Sequence, residues 1–328
     1  MIHDMQRRDM LRLAAAGAAL AGFGARADAN WPAKPVTMVV PFPAGGGTDA
    51  FARPLAAQFS KVTGQTLVID NRGGAGGTIG SGLVARAAPD GYTLMVGSTA
   101  TNATAPAFVK SVSYDPVKSF TAIGGISTTP SVLVVAPNTA ARNYAELVKE
   151  SQGRASGLNM GSPGTGSLNH LTTELLKQKT GLNATHVPYK GAGPALTDLM
   201  GNQLDAMVDQ LSSSAPFIES GRLRAIAQTG ATRSPLLPDV PTLREQGVEG
   251  VDVAVYTGLF APAGLPAEVK DKLVQALHEA LRDPDVQQRL QAQGSEPMQL
   301  SQPEFEQFVA SEAARWRDVV QTAGISGD

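Results

Sequence analysis

The sequence predicts an α/β protein made of two doubly wound lobes around a ligand cleft. Short apolar runs rich in β-branched residues alternate with stretches of helical periodicity, which is the pattern of parallel strands covered on both faces. A glycine-rich turn also occurs twice, each time between a strand-like run and the start of a helix. Two such turns far apart in the chain indicate that each lobe supplies one half of a single anion site.

The predicted elements follow one another regularly along the chain. The predicted strands cover residues 36–40, 66–69, 92–97, 132–136, 158–161, 186–188, 206–209 and 223–229. The predicted helices lie near residues 48–63, 77–87, 144–152, 167–180, 192–201, 266–281 and 305–320. The last two helices carry apolar stripes at helical spacing, so we interpret them as scaffold and not as ligand contacts.

The lobe boundaries are predicted from two segments that connect the lobes. Residues 251–261 form an apolar run that is too long for the short-strand rhythm, and we interpret it as a crossing back to the first lobe. The outgoing crossing is expected near residues 131–137. Lobe 1 then comprises residues 30–130 plus about 252–328, and lobe 2 comprises residues 131–251. Two crossings form a hinge.

The N-terminus predicts export. Arg7 and Arg8 precede an apolar run of 11 residues, Leu13 to Phe23, and an A-x-A site ends at Ala29. This is the organisation of a signal peptide, and the run is well short of the ~20 residues that a spanning helix needs. We therefore expect residues 1–29 to be removed, with cleavage near Ala29/Asn30, and a periplasmic mature chain. The paired arginines favour the twin-arginine route without excluding the general one.

Charge and composition exclude several classes of partner. The formal net charge is −2, and removal of the predicted signal peptide, with its four arginines and three aspartates, leaves −3. Such a chain has no electrostatic footprint for nucleic acid or an anionic membrane. It contains no cysteine, so no disulfide contributes to stability. A mature chain of about 300 residues is long enough for two domains.

The two glycine-rich turns supply most of the candidate ligand-binding residues. Each turn should direct unpaired backbone N–H groups, and the positive end of a helix, at one point. The candidates from the first turn are Phe42, Ala44, Gly45, Gly46, Gly47, Thr48 and Asp49, and those from the second are Ser162, Gly164, Thr165, Gly166 and Ser167.

Several single residues have two interpretations. Thr48 or Asp49 could contact the ligand or cap the following helix. His170 lies one helical turn after the second glycine turn, where it could face the ligand or serve as a capping or surface histidine. Asp209 ends a strand, where ligands of open sheets gather, and it would meet a donor on the ligand or orient water. Arg72 is the obvious cation for a carboxylate, but its glycine-rich loop favours a solvated side chain.

Other chemistries fit the sequence poorly. The first turn formally satisfies a dinucleotide-binding fingerprint with Asp70 downstream, but its three glycines are consecutive and Pro41 and Pro43 stiffen the entry. No Walker sequence, nucleophile elbow or catalytic cysteine occurs, and the predicted mature chain has only three histidines. We expect no metal site and no cofactor, because metal-ligand spacings are absent.

Motifs along the whole predicted mature chain resemble the Bug-type solute-binding proteins of tripartite tricarboxylate transporters. The matching segments, in family order, are WPAKP (31–35), VVPFPAGGGTD (39–49), NRGGAGG (71–77), APDGYTL (88–94), YDP (114–116), HVPYKG (186–191), RSP (233–235), PDVPT (238–242) and GLFAPAG (258–264). The resemblance implies a type II periplasmic-binding-protein-like fold.

The same resemblance implies the function and the surroundings of the site. A small carboxylate would be held between the two glycine turns by backbone N–H groups and ordered waters, with supporting contacts from Gly97, Ser98, Thr99, Tyr189 and Asp209. The expected partners are the membrane components of the transporter, and the chain is expected to be a monomer that delivers its ligand to them. A sensor subunit that presents its ligand to a signalling receptor, or an enzyme on the same scaffold, are the alternatives. The identity of the carboxylate is not encoded in backbone donors.

Overall fold

The computed structural model describes residues 31–44, 47–292 and 294–327. The predicted signal peptide and the candidates Gly45 and Gly46 lie outside the described residues. Within the described ranges, no helix has both the length and the apolar character needed to cross a membrane.

Strands and helices alternate over most of the chain. The strands are β1 (Val36–Val40), β2 (Leu67–Asn71), β3 (Thr93–Ser98), β4 (Phe120–Val135), β5 (Leu158–Ser162), β6 (Ala184–Pro188), β7 (Ala206–Gln210), β8 (Arg224–Gln228), β9 (Ala254–Pro262) and β10 (Glu296–Pro297). The α-helices are α1 (Gly47–Thr63), α2 (Thr78–Ala85), α3 (Ala105–Phe108), α4 (Tyr144–Gly153), α5 (Leu168–Thr180), α6 (Ala192–Met200), α7 (Leu211–Glu219), α8 (Ala267–Leu281), α9 (Pro284–Ala292) and α10 (Gln302–Ala323). A 3₁₀ turn covers Ala75–Gly77 and a π-helical turn covers Ala100–Thr104.

The strands form one mixed sheet, which confirms the α/β prediction. The order is β2-β1-β3-β9-β4-β7-β5-β6, and β8 and β10 also pair with β4. The outer pairs β1/β2, β1/β3, β5/β6 and β5/β7 are parallel, whereas β4 and β9 run antiparallel to their neighbours. The expectation of parallel strands throughout is therefore wrong at the centre. At the centre, β4 and β9 pair antiparallel, whereas a parallel pair would need a crossover connection that returns the chain to the same end of the sheet.

Strand β4 connects the two halves of the sheet by changing partners along its length. Residues 120–130 pair with β9, and residues 131–135 pair with β7 and β8. The change falls between Pro130 and Ser131, at the start of the predicted outgoing crossing. Strand β9 begins at Ala254, within the predicted return crossing. The assignment of residues to two lobes remains a prediction.

The last helix, α10, packs against both halves of the sheet. Its N-terminal residues Phe305 and Val309 belong to an aromatic cluster beside β3 and β9. Its C-terminal residues Trp316 and Val319 pack into the core that contains β5 and α5. The side-chain amide of Gln178 on α5 donates a hydrogen bond of 3.2 Å to the Val319 carbonyl. The helix is scaffold, as the sequence predicts, and it links the predicted lobes.

Several elements are not predicted from the sequence. The stretch between β3 and residue 131, which shows no clear period, contains the π-helical turn, α3 and most of β4. Helix α9 begins at Pro284, just after the predicted helix near residues 266–281, and it has no counterpart among the predicted elements. A proline stops one helix but is tolerated in the first turn of the next, because its missing N–H would have no intrahelical partner.

Candidate functional site

The candidate site is a cavity of about 560 Å³ at the carboxyl ends of parallel strands. Strands β1, β3, β5 and β7 each end at its wall, which is where ligands bind in open α/β sheets. The described residues that line it are Phe42, Ala75, Gly76, Thr99, Ala100, Thr104, Ala105, Phe108, Val109, Pro163, Gly164, Thr165, Gly166, Ser167, Leu168, Asn169, Ala192, Asp209, Gln210, Ser213 and Val255.

The second glycine turn begins at the end of β5 and continues into α5. Ser167 is the N-cap of α5, and its hydroxyl accepts the His170 N–H at 3.3 Å and donates to the Gly164 carbonyl at 2.7 Å. Gly164 and Gly166 have φ values of 149° and 78°, which favour glycine. A Cβ on Gly166 would also lie 2.4 Å from the Phe108 ring. The turn therefore needs glycine at both positions.

Only some of the N–H groups of this turn are available to a ligand. The Gly164 N–H donates to the Ser162 hydroxyl at 3.1 Å, and the Gly166 N–H donates to Nδ1 of His170 at 3.1 Å. The Ser167 N–H donates to the Gly164 carbonyl at 3.2 Å. These three donors stabilise the turn, so they are not free to bind an anion.

Three other backbone donors at the same place have no partner among the described residues. They are the N–H groups of Thr165, which lies in the turn, and of Leu168 and Asn169, the first two residues of α5. All three residues line the cavity. Unpaired N–H groups at a helix N-terminus form a partial positive charge, so this wall is suited to an anion.

The described lining contains no lysine, arginine or histidine. Its only ionisable side chain is Asp209, which is 1% exposed. Ser214 Oγ donates to Oδ2 of Asp209 at 2.6 Å, and the Gln210 backbone N–H also bonds to the carboxylate. Burial raises the pKa of Asp209 to about 6, although both hydrogen bonds oppose this shift. The negative charge of an anion bound here would therefore be stabilised by neutral hydrogen-bond donors and not by a described cationic side chain.

Much of the remaining lining is apolar. Phe42 follows β1, Phe108 and Val109 lie at the end of α3, and Val255 belongs to the returning strand β9. Together with Leu168 they provide aromatic and branched aliphatic surface beside the unpaired N–H groups. The cavity can therefore bury an apolar portion of a ligand whose anionic end contacts the turn.

The structure brings together some of the predicted site residues. Phe42, Gly164, Thr165, Gly166, Ser167 and Asp209 line the cavity. Ala44, Thr48, Asp49, Ser98, Ser162, His170 and Tyr189 are not among its described lining residues. Gly47 is the first residue of α1, and its contact with the ligand stays a prediction, as it does for Gly45 and Gly46.

The non-lining candidates have structural contacts of their own. Asp49, which is 2% exposed, accepts from Arg53 at 2.9 and 3.0 Å and from the Asn71 amide at 3.0 Å. Tyr189 donates its hydroxyl proton to Asp198 at 2.7 Å, and this hydrogen bond raises the pKa of Tyr189 to about 12. The Ser98 side chain is buried at the end of β3.

Thr99, which was expected to support the ligand, lines the cavity, but several residues after it were missed by sequence reasoning. Ala100, Thr104, Ala105 and Phe108 follow β3 closely, in a stretch without helical or strand periodicity. The rule that ligands gather at the carboxyl ends of strands could have identified Ala100. Phe108 could not be found in this way, because its position depends on the π-helical turn and on contact with Gly166.

A second cavity has the wrong charge for an anion. It measures about 220 Å³ and lies where the two crossing segments run side by side. Asp252, Glu296 and Glu312 are part of its lining, and no lysine, arginine or histidine is among the described lining residues. Among these two cavities, the wall formed by Thr165, Leu168 and Asn169 is the one suited to a carboxylate.

Comparisons with known proteins agree with this fold. The sequence profile of the family described as "Tripartite tricarboxylate transporter family receptor" matches residues 51–325. The structure of the periplasmic binding protein BugD is 37% identical, with a TM-score of 0.73 over 91% of this chain and 100% of that chain.

Two further solved structures contain a bound carboxylate. Rpa4515 of R. palustris with adipate is 38% identical, with a TM-score of 0.75 over 90% of this chain and 99% of that chain. MatC (Rpa3494) of Rhodopseudomonas palustris with bound malate is 37% identical, with a TM-score of 0.72 over 88% of this chain and 100% of that chain.

These relatives are solute-binding receptors and not enzymes, and receptors of this class are periplasmic. The profile match covers most of the chain, and the structural matches cover about nine-tenths of it. The chain therefore belongs to the family of tripartite tricarboxylate transporter receptors.

Proposed function

We propose that this chain is an exported receptor that captures a small organic carboxylate between its two glycine-rich turns. It delivers the ligand, as a monomer, to the membrane components of a tripartite tricarboxylate transporter. Export removes residues 1–29, so the mature chain begins near Asn30. The first turn contributes Phe42 to the described part of the cavity, and its central glycines are proposed to add further backbone donors.

The observation that carries this proposal is the set of unpaired N–H groups on Thr165, Leu168 and Asn169, in a cavity wall without a described cation. A hydrogen bond to a charged group contributes about 1.5–3 kcal/mol. Three such bonds, supplemented by burial of the apolar part of the ligand, are enough for the roughly 8 kcal/mol of micromolar binding after ordering costs.

The relatives support the ligand class. The chains solved with adipate and with malate are each more than 35% identical to this chain, and both bound molecules are small dicarboxylates. The aromatic and aliphatic lining of this cavity favours a carboxylate with an apolar body over a heavily hydroxylated one. We propose an aliphatic or aromatic acid as the ligand.

A screen of carboxylates tests the ligand class, and a pair of variants at one residue tests the binding mode. Thermal shift with mono-, di- and tricarboxylates, aromatic acids and acidic amino acids should identify a stabilising ligand, to be measured by calorimetry. Thr165→Pro removes a backbone N–H, whereas Thr165→Ala removes only the side chain. We expect affinity to fall at least tenfold in the proline variant and less than threefold in the alanine variant. Equal losses in the two variants would show that the side chain, and not the backbone, binds the ligand.

A further inference from the structure

A pair of stacked histidines, one buried and one half-buried, lies directly behind the second glycine turn. His170 is the third residue of α5, and His186 is the central residue of β6. Their rings are stacked, with centroids 3.7 Å apart and planes inclined by 13°. His170 is 3% exposed and does not line the cavity. The ligand site described above does not account for this pair.

Each ring contacts a different part of the turn. Nδ1 of His170 accepts the Gly166 N–H at 3.1 Å. Nε2 of His186 lies 2.6 Å from the Ser162 hydroxyl, which in turn accepts the Gly164 N–H at 3.1 Å. The two rings therefore contact both ends of the turn, and their stacking places the two contacts side by side.

Thr165 lies between these two supported positions, and its N–H is one of the three unpaired donors. We infer that His170 and His186 are positioning residues that hold the second glycine turn in its ligand-binding shape, and that this shape requires Nδ1 of His170 to be unprotonated. The inference rests on the proposed function for its consequence, because the supported turn is the proposed carboxylate site. Its structural part can be tested without any ligand.

The hydrogen-bond geometry explains this requirement. Nδ1 of His170 can accept the Gly166 N–H only when it carries no proton. Protonation would place two donors against each other at this contact. If both rings were protonated, two imidazolium rings with centroids 3.7 Å apart would also repel each other. Protonation should therefore break the bond to Gly166, separate the rings and change the shape of the turn.

Two charged residues of α5 face the pair. Glu174 Oε1 lies 3.8 Å from Nε2 of His170, and Lys177 Nζ lies 2.9 Å from the same carboxylate. Burial is the main cause that lowers the pKa of each histidine to about 4, and Lys177 acts in the same direction. The charge of His170 also lowers the pKa of His186, whereas Glu174 raises it. The rings are therefore neutral near pH 7, and the turn keeps its shape there.

The decisive experiment follows the ligand-free mature protein by NMR between pH 7 and pH 3.5. We expect the Gly164 and Gly166 amide signals to shift with the same midpoint as the ring signals of His170 and His186. The exposed His278 on α8 provides a matched control, and His278→Asn should leave these amide shifts and their midpoint unchanged. Histidine rings that titrate without movement of the two amide signals would overturn the inference.

Variants connect the pair to binding. His170→Leu removes the acceptor, so its Gly166 amide signal should already be displaced at pH 7, and its affinity for the probe adipate should fall at least tenfold. His170→Asn keeps a side-chain acceptor without a titrating ring, and it should recover part of that affinity and lose the acid-dependent change. If wild-type protein does not bind adipate, the choice of ligand is wrong, while the ligand-free titration still decides the role of the pair. If wild-type protein binds adipate and His170→Leu binds it equally well, the pair does not position the site.

Discussion

Asp209 should make the stability of this protein depend on pH in an unusual direction. A carboxyl group that is buried among neutral donors holds its proton more tightly in the folded chain than in the unfolded chain. The pKa of Asp209 is raised from an ordinary 3.8 to about 6. Between these two values the folded state binds more protons than the unfolded state. The free energy of unfolding should therefore fall as pH rises from about 4 to about 6.

The magnitude follows from the size of the shift. One pKa unit corresponds to about 1.4 kcal/mol, so a shift of about two units predicts a contribution of the order of 3 kcal/mol. Asp209→Asn keeps the shape of the side chain and an oxygen that can accept from Ser214, but it does not titrate. The variant should therefore gain stability relative to wild type as pH rises, by up to about 3 kcal/mol between pH 4 and pH 8.

Urea unfolding of both proteins at pH 4, 6 and 8 would measure this difference, since effects of other titrating groups cancel between them. Asp318→Asn on the exposed face of α10 is a suitable control, and its effect should stay within about 0.5 kcal/mol at every pH. A stability difference between Asp209→Asn and wild type that does not change with pH would refute the reasoning. It would mean that the Asp209 carboxyl has the same proton affinity in the folded and unfolded chains.

Three further predictions test the remaining parts of the proposal. Calorimetry should show at least a hundredfold loss of affinity in Gly164→Val, because φ is 149° at this position. Arg72→Ala should change affinity less than threefold, because Arg72 pairs with Asp70 at 2.9 Å outside the cavity. The reverse order of losses would contradict a site built from backbone donors. Mass spectrometry of protein recovered from the periplasm should give a chain that begins at or near Asn30, and an intact N-terminus would contradict cleavage. Small-angle scattering should give a smaller radius of gyration with a saturating ligand, and an unchanged curve with a tightly bound ligand would indicate a rigid, preformed cleft.

The second glycine turn shows what the sequence could and could not predict. Its position after a strand and its glycines are local features, and the structure contains them where the sequence analysis expects them. Ser167, which the sequence analysis treats only as a ligand candidate, is the N-cap of α5. Which of its N–H groups are hydrogen-bonded and which are unpaired depends on residues outside the turn. Nδ1 of His170 accepts the Gly166 N–H, so this histidine supports the turn instead of facing the cavity. That arrangement depends on the stack with His186, which only the pairing of β5 with β6 brings into contact.

Strand β4 shows a second feature that the local sequence could not predict. Residues 124–131 contain Gly124, Gly125 and Pro130 among serines and threonines, which weakens the strand signal there, whereas the apolar run that follows is predicted as a strand. The whole of β4 forms a strand because β9 pairs with its first part while β7 and β8 pair with its second part. Pairing over long sequence separations overrides weak local propensity here. The same pairing sets the antiparallel centre of the sheet, which the alternation of short strands and helices did not predict.

The contacts of α10 restrict how the proposed lobes can move. The helix packs on one half of the sheet through Phe305 and on the other through Trp316, and Arg315 donates to the Asp252 carbonyl at 2.8 Å, next to the start of β9. A motion that pulled the halves apart would break this packing, so we expect closure to bend the chain near Pro130 and Asp252 while α10 keeps its contacts on both sides. The ligand can shift this proposed equilibrium only by its difference in affinity for the open and closed forms. A change from mostly open to mostly closed needs about 3–5 kcal/mol of that difference.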